Sequence, residues 1–123
     1  MLQIDLLEDE GIVTLAPRGP LDKADFERLA GIVDPYIKAK GSLKGVMVDA
    51  ASFPGWEDAG SLIAHLKFVM GHHDKVRRVA VVSDSEVLKL APHIAKHFVA
   101  AEIHRFPAGE KDRALAWLKG VPA

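Results

Sequence analysis

Cysteine is absent from the 123 residues, and this absence excludes more chemistry than any other feature of the composition. Without cysteine the chain forms no disulfide, offers no thiolate nucleophile and has no thiolate ligand for a metal. An excess of charge of one sign is also lacking, because 16 Lys and Arg nearly balance 17 Asp and Glu. Nucleic-acid-binding domains carry a strong basic field, so we expect no nucleic-acid partner.

Long apolar runs are missing as well. No stretch approaches the roughly 20 apolar residues that span a bilayer. The first residues contain no basic region and no apolar segment followed by a small-residue cleavage site. With 49% apolar and 27% charged residues, the composition is that of one folded domain over residues 1–123. We therefore expect a single cytoplasmic domain, a location that is compatible with peripheral contact to a membrane.

Apolar periodicity predicts five strands and four helices in the order ββαβαβαβα. Alternating apolar residues mark strands at 2–6 and 12–16, which a short turn joins into an antiparallel hairpin. Continuous apolar runs at 43–50 and 79–82 are typical of buried parallel strands, and a last strand follows at 101–106. We therefore predict an α/β fold: a single-layer mixed, mostly parallel sheet with an antiparallel N-terminal edge strand and helices packed on it.

Helix signals lie between these strands. Asp22 and Gly41 have the residue types that begin and end a first helix, and Pro35 inside it predicts a kink. Ser83 and Glu86 have the spacing of a capping box at the start of the third helix. The predicted second helix has an apolar face that consists of Ala59, Leu62, Ile63, Leu66 and Met70.

Five segments of the chain resemble a known family. They are GVMVD at 45–49, FPGW at 53–56, RVAVVSD at 78–84, AEIHRF at 101–106 and ALAWL at 114–118. Each is mainly a core pattern, and their order and spacing resemble the SpoIIAA-like proteins, relatives of the STAS domains of anti-sigma-factor antagonists and sulfate-transporter tails. The resemblance implies a small α/β sandwich, layered like STAS domains and like the lipid-carrying CRAL-TRIO domains.

The loop over 49–60 lies where STAS antagonists carry the serine whose phosphorylation switches them. This chain has Glu57 and Asp58 in that region, while the nearest hydroxyls are Ser52, before the turn, and Ser61, one helical turn too late. The resemblance therefore implies a domain without the phosphorylatable serine. The two carboxylates either mimic a phosphoserine or complement the positive end of the second helix, and we favour the second interpretation.

No pattern of a catalytic or metal-binding site is present in the sequence. The G-x-S-x-G motif is missing, and Asp49, at the end of a central strand, is better explained as a turn cap than as a catalytic group. His93 and His97 are spaced i, i+4, but two histidines without a third ligand make a weak zinc signal. We therefore expect no catalytic residue, no metal and no cofactor.

The third helix carries the strongest indication of a binding site. Its apolar arc covers about 180°, more than one contact with a sheet needs, and Pro92 interrupts the helix. Such a helix either packs on the sheet with one flank and on a neighbouring element with the other, or forms a mobile cover over a pocket for an apolar small molecule or lipid. We develop the second interpretation, in which the 49–60 loop lies at the mouth of the pocket. The residues predicted to bind this ligand are Asp49, Phe53, Trp56, Leu88, Ile94 and Phe98. The opposite, cationic stripe is predicted to contact a membrane or another anion and consists of Lys89, His93, Lys96 and His97.

These patterns predict a non-enzymatic binding module. Trp56 is expected at the mouth of the pocket, near a topological switch of the sheet, whereas Trp117 is expected in the core. The alternative function is a STAS-like protein-interaction or regulatory module that uses the loop over 53–58. Either function is compatible with a homodimer.

Overall fold

The computed structural model describes residues 1–52, 54–96 and 99–120. In this part of the chain the strands are β1 (Leu2–Leu7), β2 (Ile12–Pro17), β3 (Leu43–Asp49), β4 (Val76–Val82) and β5 (Glu102–Phe106). The helices are α1 (Lys23–Lys40), α2 (Ala59–His72), α3 (Glu86–Ala95) and α4 (Lys111–Leu118), and a 3₁₀ turn (His73–Lys75) follows α2. The predicted order ββαβαβαβα is confirmed.

The strands form one sheet in the order β1-β2-β3-β4-β5. The hairpin pairs β1 and β2 antiparallel, with Ile4 opposite Leu15, and the remaining neighbours are parallel. The predicted mixed, mostly parallel sheet with an antiparallel edge strand is therefore confirmed. Because the described strands follow one another in sequence order, the order does not reverse after β3. The predicted topological switch at the 49–60 loop is wrong.

The two faces of the sheet carry separate apolar clusters. Side chains alternate between the faces along a strand, so Val13 joins one cluster and its neighbour Ile12 joins the other. Helices α1 and α2 lie side by side over the first cluster. Helix α4 covers the second, where Leu118 is fully buried and Trp117 lies partly buried at the edge. The sandwich of helices around one sheet follows from this division.

Helix α1 begins and ends at the predicted residues. The Asp22 carboxylate accepts a hydrogen bond from the Asp25 N–H at 2.9 Å, and the Asp25 carboxylate accepts one from the Asp22 N–H at 3.0 Å. Gly41 ends the helix with a φ of 91°, a backbone conformation that favours glycine. Between these ends the helix continues through Pro35.

Two predictions about the later helices are corrected. The apolar face predicted for α2 points outward, because Ile63, Leu66 and Met70 are exposed by 52%, 56% and 61%. The capping box predicted for α3 is wrong, since the helix begins at Glu86, which would have to be its third residue. The Ser83 hydroxyl instead accepts a hydrogen bond from the backbone N–H of Ser85 at 3.0 Å.

Candidate functional site

An apolar cavity of about 280 Å³ lies between α2 and the sheet. Its floor comes from strand residues that point to the α1–α2 face, among them Val48, Val79 and Ile103. Its roof includes Phe68 and Val69 of α2. Apart from three histidines, every described side chain that lines this cavity is apolar. Helix α2 therefore stands off the sheet and leaves a space with an almost entirely hydrocarbon surface.

His65 is the lining histidine nearest the 49–60 loop, and its ring is fixed on two sides. Its Nδ1 atom accepts a hydrogen bond from the Trp56 indole Nε1–H at 3.0 Å. Its ring stacks on the buried Phe26, with ring centroids 4.8 Å apart. Burial lowers the pKa of His65, because removal from water penalises the charged ring. The ring is therefore held in one place and in its neutral form.

The loop that carries Trp56 is tied to the segment before α1 by two backbone hydrogen bonds. The Leu21 N–H donates to the Gly55 carbonyl at 2.9 Å, and the Glu57 N–H donates to the Leu21 carbonyl at 2.7 Å. Leu21 itself lines the cavity. The loop thus reaches the cavity indirectly, through Leu21 and through the Trp56–His65 hydrogen bond.

The other two lining histidines hold the carboxyl end of α2. The ring nitrogens of His72 lie 2.7 Å from the Phe68 carbonyl oxygen and 2.6 Å from the Asp34 carboxylate of α1. The Nδ1 atom of His73 accepts a hydrogen bond from the backbone N–H of Ala100 at 2.9 Å. These contacts attach α2 to α1 and to the segment that precedes β5.

The cavity lies under α2, whereas the sequence placed a ligand pocket under the third helix. Trp56 is half-buried and contacts the lining residue His65 without being part of the described lining. Asp49 and Leu88 are also half-buried and outside that lining, and the Asp49 carboxylate lies 3.9 Å from the Lys111 ammonium. Phe53, Phe98 and the side chain of Ile94 lie outside the described part of the chain, so the predicted set of ligand residues stays a prediction.

The cationic stripe of α3 lies mostly on the surface. His93 and Lys96 are exposed, and the Lys89 ammonium pairs with the Glu86 carboxylate at 3.1 Å. Leu90, on the same helix, is 57% exposed. His97 lies outside the described residues. Contact of this stripe with a membrane or another anion stays a prediction.

The start of α2 has the geometry of a helix cap. Both the backbone N–H and the hydroxyl of Ser61 donate to one Asp58 carboxylate oxygen at 2.8 Å. These hydrogen bonds, first that from the backbone N–H, lower the pKa of Asp58. The Ser61 hydroxyl is therefore engaged in a hydrogen bond, and the residue is buried from solvent. The geometry supports the interpretation of Asp58 as a helix-end carboxylate.

Two further clefts of the molecule have a polar character. One of about 470 Å³ is bordered by Lys44, Arg77, Arg78 and Glu102 at the amino ends of the strands. Its central Arg78 is already engaged, since it donates to the Trp117 carbonyl at 2.6 Å and lies 3.5 Å from the Glu102 carboxylate. The other, about 480 Å³, lies between α3 and β5. The cavity under α2 differs from both in its apolar lining.

Sequence reasoning missed the residues of the cavity roof. His65, Phe68, Val69 and His72 follow the i, i+3, i+4, i+7 spacing of one helix face. This spacing is visible in the sequence, but the face contains two histidines, and the stripe through Leu66 is the more apolar face of the helix.

Among the described residues, no three His, Asp or Glu side chains are grouped as they would be around a metal ion. In the same part of the chain, no helix combines the length and the apolar character that a membrane span requires.

The fold and the sequence together define the class of the protein. The model of the SpoIIAA-like family matches residues 12–119, and the chain belongs to that family. A solved structure with a similar architecture is an uncharacterized protein of the DUF3478 family from Shewanella loihica PV-4, which has a SpoIIAA-like fold. Its TM-score is 0.70 at 20% identity, over 96% of this chain and 92% of that one. No curated protein matches the chain. At this identity the structural likeness shows the fold alone.

Proposed function

We propose that this domain is a non-enzymatic binding module that holds an apolar or lipid-like molecule between α2 and the sheet. The observation that carries the proposal is the apolar cavity of about 280 Å³. For comparison, an engineered apolar cavity of about 150 Å³ stays dry and binds benzene. The cavity under α2 would therefore suit a ligand on the order of ten to twelve non-hydrogen atoms.

An apolar ligand suits this space better than water does. A buried water needs two to four polar partners, and the described lining offers only imidazole groups. Empty space in a protein core lowers stability by roughly 24 cal/mol per Å³. A hydrocarbon ligand would restore the missing contacts, and its binding would stabilise the fold.

The lining also supports a role without catalysis. The described lining contains no Ser, Thr, Lys, Asp or Glu, which are the usual nucleophiles and acid–base groups besides histidine. Each of its three histidines is engaged by a structural hydrogen bond, to Trp56, to Asp34 and Phe68, or to Ala100. These contacts position α2 and its ligand.

Titration with n-butylbenzene, an uncharged apolar probe, tests the proposal by NMR. We expect saturable shifts for amides that surround the cavity, such as those of Phe68 and Val79. Val69→Phe, which fills the cavity from α2, should weaken the affinity measured from these shifts at least tenfold. Ile63→Phe is the matched control, because Ile63 lies on the exposed side of the same helix. Absence of saturable shifts in the native chain up to the solubility limit of the probe would contradict the proposal.

The outer face of α2 favours a second candidate, a protein-interaction module whose partner is a second copy of the chain. Ile63, Leu66 and Met70 are exposed along one stripe, and Lys67 is the only Lys, Arg, Asp or Glu in the helix. Such a stripe can pair with itself about a two-fold axis without opposing like charges. Native mass spectrometry should then show a dimer that Leu66→Glu converts to monomer. A native chain that stays monomeric at high concentration would exclude this candidate.

We also propose that α3 gives the module a weak attachment to anionic membranes, the natural source of apolar ligands. Leu90 is exposed beside Lys89, and His93 and Lys96 are exposed on the same helix. Cations next to an exposed apolar side chain are typical of helices that lie on anionic membranes.

A further inference from the structure

The hydrogen bond between Trp56 and His65 fixes which ring nitrogen of His65 carries the proton. An indole N–H only donates, so the Nδ1 atom of His65, 3.0 Å away, must accept. A neutral imidazole has one donor and one acceptor nitrogen. With Nδ1 accepting, the proton of the neutral ring lies on Nε2. His65 is therefore a hydrogen-bond donor at Nε2.

This donor belongs to a side chain that lines the cavity. No hydrogen-bond partner of the His65 Nε2 atom is found among residues 1–52, 54–96 and 99–120. Stacking on Phe26 and contact with Trp56 restrict rotation of the ring, so the donor has a defined position. Near Phe26 the lining thus includes a ring that carries a hydrogen-bond donor and is held in a fixed orientation.

His73 repeats the arrangement at the other end of α2. Its Nδ1 atom accepts from the Ala100 N–H, so the neutral ring again carries its proton on Nε2. His73 follows His65 by eight positions, on the order of 12 Å along a helix axis. His73 lies in the 3₁₀ turn beyond α2, whereas the His65 ring stacks on the buried Phe26. We therefore assign ligand recognition to His65, whose ring is held by Phe26 and Trp56.

The charges of the residues that line the cavity indicate which class of ligand group can accept a hydrogen bond from His65. The described lining includes no Lys or Arg, so a carboxylate in the cavity would lack a cation. Burial keeps the His65 ring neutral, as its lowered pKa indicates. An uncharged oxygen can accept a hydrogen bond from the Nε2–H of His65 without the cost of burying an unpaired charge.

We propose that the module selects uncharged hydrocarbon ligands that carry a carbonyl oxygen, as in a ketone, aldehyde or ester, and that the Nε2–H of His65 donates a hydrogen bond to that oxygen. The inference rests on the proposed function, because it assumes that the cavity under α2 is the binding site. It adds that the ligand is selected by one polar contact, and that a free fatty acid is disfavoured.

Three ligands of one chain length test the inference: n-nonane, 2-nonanone and nonanoate, titrated into the native chain at pH 7.5. We expect 2-nonanone to bind about three- to tenfold more tightly than n-nonane, the range for one net hydrogen bond. Nonanoate should bind more weakly than the ketone. In ¹⁵N NMR spectra of the imidazole rings, the ketone should shift the Nε2 signal of His65, and n-nonane should not.

The variants His65→Phe and His93→Phe complete the design. His65→Phe keeps an aromatic ring beside Phe26, and it should bind n-nonane normally but lose the preference for 2-nonanone. His93→Phe, at an exposed position of α3 outside the described lining of the cavity, should keep the preference. Equal binding of n-nonane and 2-nonanone by the native chain would overturn the inference and leave the proposed function intact. Failure of all three ligands to bind would overturn the proposed function itself. The ligand comparison in the native chain decides the matter even where a variant does not fold.

Discussion

Asp25 joins the first strand to the first helix through a single buried carboxylate. Its oxygens accept hydrogen bonds from the backbone N–H of Leu2 at 2.9 Å, from that of Asp22 at 3.0 Å and from Arg28 at 2.8 Å. Burial alone would raise the pKa of Asp25, but these hydrogen bonds outweigh burial and hold the pKa below its usual range. Three donors therefore depend on one residue.

Replacement of Asp25 by alanine should lower the free energy of unfolding by about 2–4 kcal/mol, because buried N–H groups lose their acceptor. Urea denaturation at neutral pH measures the change. Asp112→Ala is the matched control, since Asp112 also lies in a first helical turn but is exposed. It should change stability by less than about 0.5 kcal/mol. Equal losses in the two variants would contradict the role of Asp25.

Replacement of two glycines by alanine should change the stability of the fold in opposite directions. A Cβ at Gly45 would lie 2.7 Å from Cδ2 of Leu118, which is fully buried. Gly45→Ala should therefore destabilise the fold by about 1–3 kcal/mol through overpacking. Gly31 lies in α1 with nothing within 4 Å of the added atom, so Gly31→Ala should stabilise by about 0.5–1 kcal/mol. Thermal unfolding of both variants checks the two signs.

His65 should make stability fall in mildly acidic solution. Burial lowers its pKa in the folded chain below the value of about 6.5 in peptides. Below that pH the unfolded chain binds a proton that the folded chain excludes, so the stabilisation is complete above about pH 6.5 and is lost as the pH falls towards the folded pKa. His65→Phe should reduce the loss of unfolding free energy between pH 7 and pH 5. His93→Gln, at an exposed position, should leave that loss unchanged.

Helix α2 has two apolar sides with different roles. The outer stripe of Ile63, Leu66 and Met70 is exposed, whereas Phe68 faces the cavity and stacks on His72 with ring centroids 3.9 Å apart. A sequence pattern shows that both stripes exist but not which one meets the sheet. That choice depends on how α1 and the 49–60 loop position the helix. The most apolar stripe is therefore not the core-facing one.

The two sides of α2 should differ in their sensitivity to substitution. Phe68→Ala should cost about 2–3 kcal/mol of unfolding free energy, because it removes part of the roof and its ring contacts. Leu66→Ala should cost less than about 0.5 kcal/mol in the monomer, because Leu66 is 56% exposed. Urea denaturation at low protein concentration compares them. A larger loss for Leu66→Ala would mean that the helix is turned the other way.

The elements themselves were largely predictable from local signals. Asp22 and Gly41 bounded α1 because capping and left-handed glycine conformations depend on neighbouring residues alone. Continuous apolar runs identified β3 and β4 as buried parallel strands. The His65–Trp56 hydrogen bond and the cavity could not be predicted in this way, because both depend on the distance between α2 and the sheet. The candidate site depends on tertiary contacts, whereas the helix boundaries depend on neighbouring residues.

At the scale of the whole molecule, the two faces of the sheet are filled unequally. The α4 face is closed by Met47, Ala80 and Leu118, all almost fully buried. The α1–α2 face contains the cavity of about 280 Å³. The α4 side therefore provides a rigid support, and space for a ligand lies on the other side. This asymmetry puts the proposed binding site on the α1–α2 face.

Attachment of the whole domain to anionic vesicles should depend on the charge of α3. Each lysine near an anionic surface contributes about 1 kcal/mol, so Lys89→Glu/Lys96→Glu should reduce co-sedimentation with phosphatidylserine vesicles at least tenfold. Glu86 pairs with Lys89 at 3.1 Å, and Glu86→Gln should strengthen binding because it removes the competing carboxylate. Added salt should weaken binding by the native chain, since the Debye length is about 8 Å at physiological ionic strength. Equal co-sedimentation of the native chain and both variants would show that α3 does not face the membrane, whether or not the cavity under α2 binds a ligand.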